Sequence, residues 1–195
     1  MRRGWGGIKM KVKKIIDICK KSKSMCLIDS KDEDLQYITN GCAVYPLCDL
    51  PYFNFDSICN TFDISERARE KITFRTMSEF PSNISTKDTY AGETLCERYS
   101  DMSVGKYLPI KTEIGLQFID KQYLAPFDDM ENIELYLRIN ETDNSIYFAV
   151  KQGFMLYGII FPADIISEKF VCNLGEIYIQ AKAVLLQQKN EGNNE

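Results

Sequence analysis

Apolar residues recur along this chain with two periods, and the order in which those periods alternate is its main structural signal. Between Val12 and Cys19 the apolar positions Val12, Ile15, Ile16 and Cys19 fall at i, i+3, i+4 and i+7, which predicts an amphipathic helix with lysines on its outer face. Three short apolar runs follow, Met25 to Ile28, Leu35 to Thr39 and Cys42 to Leu47, and the Asn40-Gly41 pair between the last two is a hairpin signal. The order then recurs. Lys121 to Met130 reads as a short helix interrupted by Pro126, and the runs Ile133 to Ile139, Ser145 to Val150 and Phe154 to Phe161 read as strands joined by turn chemistry at Asn140 to Asn144 and Gln152-Gly153. Gly41 answers Gly153 and Val44-Tyr45 answers Leu156-Tyr157, a repeat of about 112 residues. A further run, Leu116 to Ile119, precedes the second copy and completes a β-α-β-β-β unit. The expected fold is α+β: two helix-plus-three-strand (βαβββ) repeats with their helices packed on antiparallel sheet, and a long C-terminal helix.

The organisation follows from this pattern. Residues 1–10 read as a disordered leader whose glycine-rich start suggests translation from Met10, 11–75 as the first unit with the helix Ser65 to Lys71, and 106–163 as the second unit. Between them, 76–105 has no period in its Ser78 to Ser103 core and reads as a flexible insertion. From Asp164 a helix is expected to about Lys189, with Ile166, Phe170, Leu174, Ile177, Ala181, Val184 and Gln188 as an apolar seam, and 190–195 is a tail. That seam packs on the sheet or forms a homodimer contact.

Composition narrows the chemistry. The 195 residues contain no histidine, so no Ser-His or Cys-His nucleophile, His-ligated zinc or His-base nuclease can be assembled. The seven cysteines show no C-x-x-C spacing and read as reduced thiols of a cytoplasmic protein. Apolar runs stay short of a membrane span, and Walker A and G-x-G-x-x-G patterns do not occur. Acid pairs such as Asp128/Asp129 or Glu93/Glu97 lack a supporting motif for Mg²⁺ or glycoside chemistry. No catalytic residue, metal site or cofactor is expected.

Charge is uneven: nine basic side chains but only Asp17 among the acids fall in the first 24 residues, while the whole chain carries -4. Lys11, Lys13, Lys14, Lys20, Lys21 and Lys23 are candidates for nucleic acid or an acidic partner. Asp32, Glu33, Asp34, Asp128, Asp129 and Glu131 are acidic candidates for a basic protein groove, against a reading as solvated loop and cap residues. Tyr52, Phe53 and Phe55, following Pro51, are candidates for an aromatic partner contact.

Two resemblances add to this reading. The stretch Gly115 to Ile165 resembles half a domain of the DNA sliding clamps, through Phe118-Ile119-Asp120-Lys121 with Tyr123-Leu124, the alternating strand Ile133 to Ile139 and the closing strand ending at Pro162. As a whole, the chain resembles small proteins of phages and conjugative elements of gut Firmicutes, through Lys11 to Lys23, Leu35 to Leu47, Thr61 to Ile72 and Gly158 to Pro162; that group includes type II anti-CRISPR proteins. The resemblance implies a non-catalytic inhibitor that binds a host CRISPR effector nuclease in the bacterial cytoplasm, presenting acidic surface as a DNA mimic. The alternative is a clamp-like DNA-replication or DNA-processing accessory protein touching DNA through the basic N-terminal helix.

Overall fold

The computed structural model describes residues 10–31, 33–99 and 102–192. The leader expected before Met10, the candidate Asp32 and the end of the tail from 193 lie outside these residues. The chain divides into a body that ends at Ala163 and a C-terminal unit that begins at Asp164.

The body opens with helix α1 (Val12–Ser22), whose Ile15, Ile16, Ile18 and Cys19 are buried. Each fully buried isoleucine contributes roughly 1.5–3 kcal/mol of transfer free energy, so the inward face, not helix propensity, holds the element in place. Lys23, at φ 54°, turns the chain out of the helix, and its N–H donates to the Cys19 and Lys20 carbonyls. Strands β1 (Ser24–Ser30), β2 (Leu35–Thr39) and β3 (Ala43–Pro46) follow. At the β2–β3 turn the Asn40 side chain accepts from the N–H groups of Cys42 and Ala43, while Gly41 takes φ 93°. Then come α2 (Phe55–Thr61), the four-residue α3 (Glu66–Arg69), β4 (Thr73–Met77), and the two-residue β5 (Thr94–Leu95) and β6 (Glu97–Arg98). The second half contains β7 (Tyr107–Thr112), β8 (Gly115–Asp120), a 3-10 helix (Lys121–Phe127), β9 (Ile133–Ile139), β10 (Ile146–Gln152) and β11 (Met155–Ile160).

The large sheet has the order β4-β1-β2-β3-β11-β10-β9-β5, antiparallel throughout except where β4 runs parallel to β1. Its centre joins the two repeats: β3 pairs with β11, Val44 opposite Ile159, so β1-β2-β3 and β9-β10-β11 are related by a pseudo-two-fold. The expected α+β arrangement of two helix-plus-three-strand units is present. The side chains obey it as well, for Val44 and Leu156 face one side of the sheet and Tyr45 and Tyr157 the other. Gly153, at φ 58°, turns β10 into β11 as Gly41 turns β2 into β3.

Two expectations about the second unit need correction. β8 does not enter the large sheet but pairs with β7 in a separate three-stranded sheet, β6-β7-β8, so the unit is not a continuous β-α-β-β-β layer. The helix expected to Met130 is a 3-10 helix ending at Phe127, because Pro126 removes a donor and permits only tight turns.

One face of the sheet, the helical face, packs against α1, α2 and the 3-10 helix around Ile15, Ile38, Tyr45, Ile58, Phe127 and Phe148. Gly158 lies close against this packing: an added Cβ would sit 2.9 Å from Phe127 Cζ and 3.2 Å from the Val44 carbonyl oxygen. Within the body, the opposite face buries Ile28, Tyr37, Val44, Tyr147 and Ile159 under the stretch after β4, through Phe80 and Ile84. That stretch belongs to 76–105, expected as a flexible insertion, and its described residues contact the sheet at several points. Phe80 stands edge-on to Tyr37 with ring centroids 4.8 Å apart. The Ser85 N–H donates to Tyr147 Oη at 3.0 Å, Thr86 Oγ1 to Glu33 at 2.7 Å and Tyr90 Oη to the Ile139 carbonyl at 2.8 Å. Its side chains follow no period because it crosses the sheet as an irregular strap instead of extending an element.

The C-terminal unit is dominated by α4 (Glu168–Gly192), which begins at Glu168 and not at the expected Asp164, with Ser167 capping it through Oγ, which accepts from the Phe170 N–H at 3.2 Å. None of the described helices is long and apolar enough to cross a membrane.

Candidate functional site

The basic candidates divide. Lys13, Lys14, Lys21 and Lys23 are exposed and make no ion pair among the described residues, and Lys13 and Lys14 lie two helical turns before Lys20 and Lys21 on the outer stripe of α1. Lys20 pairs with Asp17 at 3.2 Å and Lys11 with Asp129 at 2.8 Å. The Lys11 pair joins a basic candidate to an acidic one, so neither presents a full charge to a partner.

The acidic candidates are also partly consumed. Glu33 accepts hydrogen bonds from Tyr37 Oη and Thr86 Oγ1, which fastens the strap, and Asp34 accepts from Tyr52 Oη at 3.3 Å. Asp128 and Glu131 are exposed. Of the aromatic trio, Tyr52 is 54% exposed and remains available. Phe53 does not: it is buried, its N–H donating to Gln36 Oε1 at 2.8 Å, because the chain must turn inward to start α2. Phe55 is half-buried against Phe74, ring centroids 4.6 Å apart.

The densest polar chemistry lies elsewhere, where the strap meets β9 and β10. Arg138 on β9 is fully buried, and its guanidinium donates to Glu93 Oε2 at 2.8 Å and to the carbonyls of Ser85, Lys87 and Asp88 at 3.0–3.3 Å. Lys151 on β10, 4% exposed, donates to the other Glu93 oxygen at 2.5 Å and sits 4.8 Å from the Tyr136 ring centroid. Asp88 accepts from the Leu156 N–H at 2.9 Å. One carboxylate thus bridges two buried cations, with every Arg138 donor group aimed at the strap backbone or at Glu93. Beside it an open cavity of about 500 Å³ is lined by Tyr90, Tyr136, Lys151 and Phe154, the last 85% exposed.

Sequence reasoning weighed Glu93 only as a partner of Glu97, and the structure separates them. Glu97 pairs with Lys111 on the surface at 2.8 Å, and that bond holds its carboxyl below the usual range. The one partial signal was that Lys151 ends the apolar run Ile146 to Val150 and Arg138 interrupts β9, which marks buried charge but not its partner.

The thiols are free. Burial pushes Cys19 up to about 12 and Cys96 to about 11, so neither is a nucleophile near neutrality. Cys42 and Cys172 are exposed. Among the described residues no group of three or more Cys, Asp or Glu is arranged to hold a metal ion.

Along α4 large apolar side chains stand in the open. Val171, Ile177, Tyr178, Ile179, Val184, Leu185 and Leu186 are 51–66% exposed, and of the expected seam only Phe170 and Leu174 are partly buried. No family model, curated protein or solved structure matches this chain.

Proposed function

We propose that the protein acts by binding another protein and not by making bonds, as a mobile-element inhibitor of a type II CRISPR effector nuclease in a bacterial cytoplasm. The observation that supports this reading is α4: seven large apolar side chains more than half exposed on one 25-residue helix are a protein-docking surface in the making. The buried ions support it too, since Glu93, Arg138 and Lys151 spend their hydrogen bonds on each other and the strap. Asp128 and Glu131 supply exposed acid for a basic groove. The test is co-elution with the effector nuclease and arrest of its cleavage at near one-to-one ratio, both lost in Ile177→Glu/Leu185→Glu; undiminished nuclease activity at tenfold excess refutes the reading. A second copy of the chain is the other partner for this helix. Sedimentation velocity on the protein alone separates the two, a dimer dissolved by the same substitutions assigning α4 to self-association.

A second reading rests on the unpaired lysine stripe of α1. A DNA accessory protein touching phosphate through Lys13, Lys14 and Lys21 binds duplex with a salt slope of roughly -0.9 per contacted phosphate, so reversing all three lowers the slope by about 3.

A further inference from the structure

The strap leaves part of the face it covers open. Between it and β1-β2-β3 runs a groove of about 580 Å³, within the roughly 300–1,000 Å³ of small-molecule sites. Cys26, Ile28 and Val44 on the strands, Phe80 and Ile84 on the strap, and Phe161 line it. Lys23 at the start of β1 and Arg75 on β4 line the same groove. Arg75 lies directly across the β1–β4 ladder from Cys26, close enough that its guanidinium opposes the upward pull of burial on that thiol.

The charge of this lining is one-sided. In a chain with four more acidic than basic groups, the described residues around the groove include two cations and no carboxylate. Neither cation makes an ion pair among the described residues, in contrast to Lys11, Lys20, Lys106, Lys111, Arg138 and Lys151, each of which does. A largely apolar groove flanked by a fork-shaped donor that makes no ion pair among the described residues is complementary to a molecule with an aliphatic chain and one anionic head. Guanidinium pairs best with a planar carboxylate that takes two parallel N–H bonds. We infer that the groove between strap and sheet is a binding site for a single-chain fatty carboxylate, with its chain over Cys26, Ile28 and Val44 and its head at Arg75 and Lys23.

This site is independent of α4 and of the α1 stripe apart from Lys23, so it stands or falls separately from the protein-binding reading. The test uses the full chain with dodecanoate, below its micellar concentration, measured by titration calorimetry. Dodecanoate binds one to one; dodecanol, with the same chain and no charge, binds at least about tenfold more weakly; dodecyltrimethylammonium does not compete. Arg75→Glu with Lys23→Glu, both exposed positions that leave the fold unstressed, lowers dodecanoate affinity at least tenfold. Cys26→Phe fills the groove and removes binding. In wild type, bound dodecanoate slows iodoacetamide labelling of Cys26, read by peptide mass spectrometry, without changing labelling of Cys172. Absence of binding, equal affinity for dodecanoate and dodecanol, or unchanged affinity in the Arg75/Lys23 variant each overturns the assignment. The last holds whether or not Cys26→Phe folds.

Discussion

Removing the Glu93 carboxylate strands two cations that water cannot reach. Arg138 has no exposed side-chain surface and Lys151 has 5%, while Glu93 itself has 13%. Breaking a buried pair by deleting one partner costs roughly 3–5 kcal/mol, most of it the penalty of an uncompensated charge. Here Arg138 keeps three carbonyl acceptors on the strap, and Lys151 keeps the face of Tyr136. Those residual contacts set the expectation for Glu93→Gln at the lower end, about 3 kcal/mol. For a body of this size each kcal/mol moves Tm by roughly 2–4 °C, so the variant melts about 6–12 °C below wild type. Lys151→Met is milder, about 1 kcal/mol, because Glu93 remains paired with Arg138 and one buried charge is removed. Urea unfolding followed by far-UV circular dichroism measures both, and an unchanged m-value certifies that the same transition is being compared. The ordering is diagnostic. If Glu93→Gln costs under 1 kcal/mol, or less than Lys151→Met, the bridge does not hold the strap and the electrostatic account of this face is wrong.

Other consequences are smaller in scope. Gly158→Ala forces a methyl into contact with Phe127 and the Val44 carbonyl, and equilibrium unfolding is expected to show a loss of about 1–3 kcal/mol. Asn54→Ala removes a capping box in which Asn54 accepts from the Ser57 N–H and Ser57 Oγ accepts from the Asn54 N–H; thermal melts register about 1 kcal/mol. Because the folded-state Cys19 thiol titrates near 12 instead of its ordinary 9.0, the folded chain holds this proton where the unfolded chain has released it. Stability is therefore flat in this respect below pH 9 and falls as pH rises from 9 to about 12, by on the order of 4 kcal/mol, and Cys19→Ala removes that part of the slope in urea titrations. Alkylation at pH 8 labels Cys42 and Cys172 well before Cys19 and Cys96; equal rates would show that the core opens on the labelling timescale.

The repeat was legible because its signals are local. The helical spacing of α1, the alternation in β9 and the turn residues at Asn40-Gly41 and Gln152-Gly153 each act within a few residues, and strands β2 and β9 appear at the bounds their periodicity marks. α2 was missed because its length is only two turns and its capping pair, Asn54 and Ser57, sits inside an aromatic cluster that reads as surface. β4 was missed for a different reason: its parallel pairing with β1 is non-local, and its side chains are mostly exposed on a sheet edge. Of the candidate site, single-residue exposure was legible for Tyr52 and for Lys13, Lys14 and Lys21 but not for Phe53, whose burial depends on Gln36 seventeen residues earlier. The Glu93 bridge joins residues 45 and 58 positions apart, beyond any spacing rule.

The two repeats have diverged on one face of their sheet and not on the other. On the helical face both halves present large apolar groups, Ile38 and Tyr45 in the first and Leu137 and Phe148 in the second, because both must bury a helix. On the strap face the first half keeps Cys26, Ile28, Tyr37 and Val44, whereas the second keeps Tyr147, Ala149, Leu156 and Ile159 and adds Glu134, Tyr136, Arg138 and Lys151 on adjoining strands. A single irregular strap crosses both halves, meeting Tyr37 in the first and Tyr147 in the second. Charge fixes it over the second half, where guanidinium-to-carbonyl bonds compensate for the strap's missing backbone ladder. The first half, which has no such bridge to the strap, retains the groove. If pinning at Arg138 sets how far the strap lies over the first half, then Arg138→Met loosens the strap and raises the alkylation rate of Cys26, some distance away across the sheet, while leaving that of Cys172 unchanged. An unaltered Cys26 rate would separate groove from bridge and make the divergence of the two halves a matter of local packing alone.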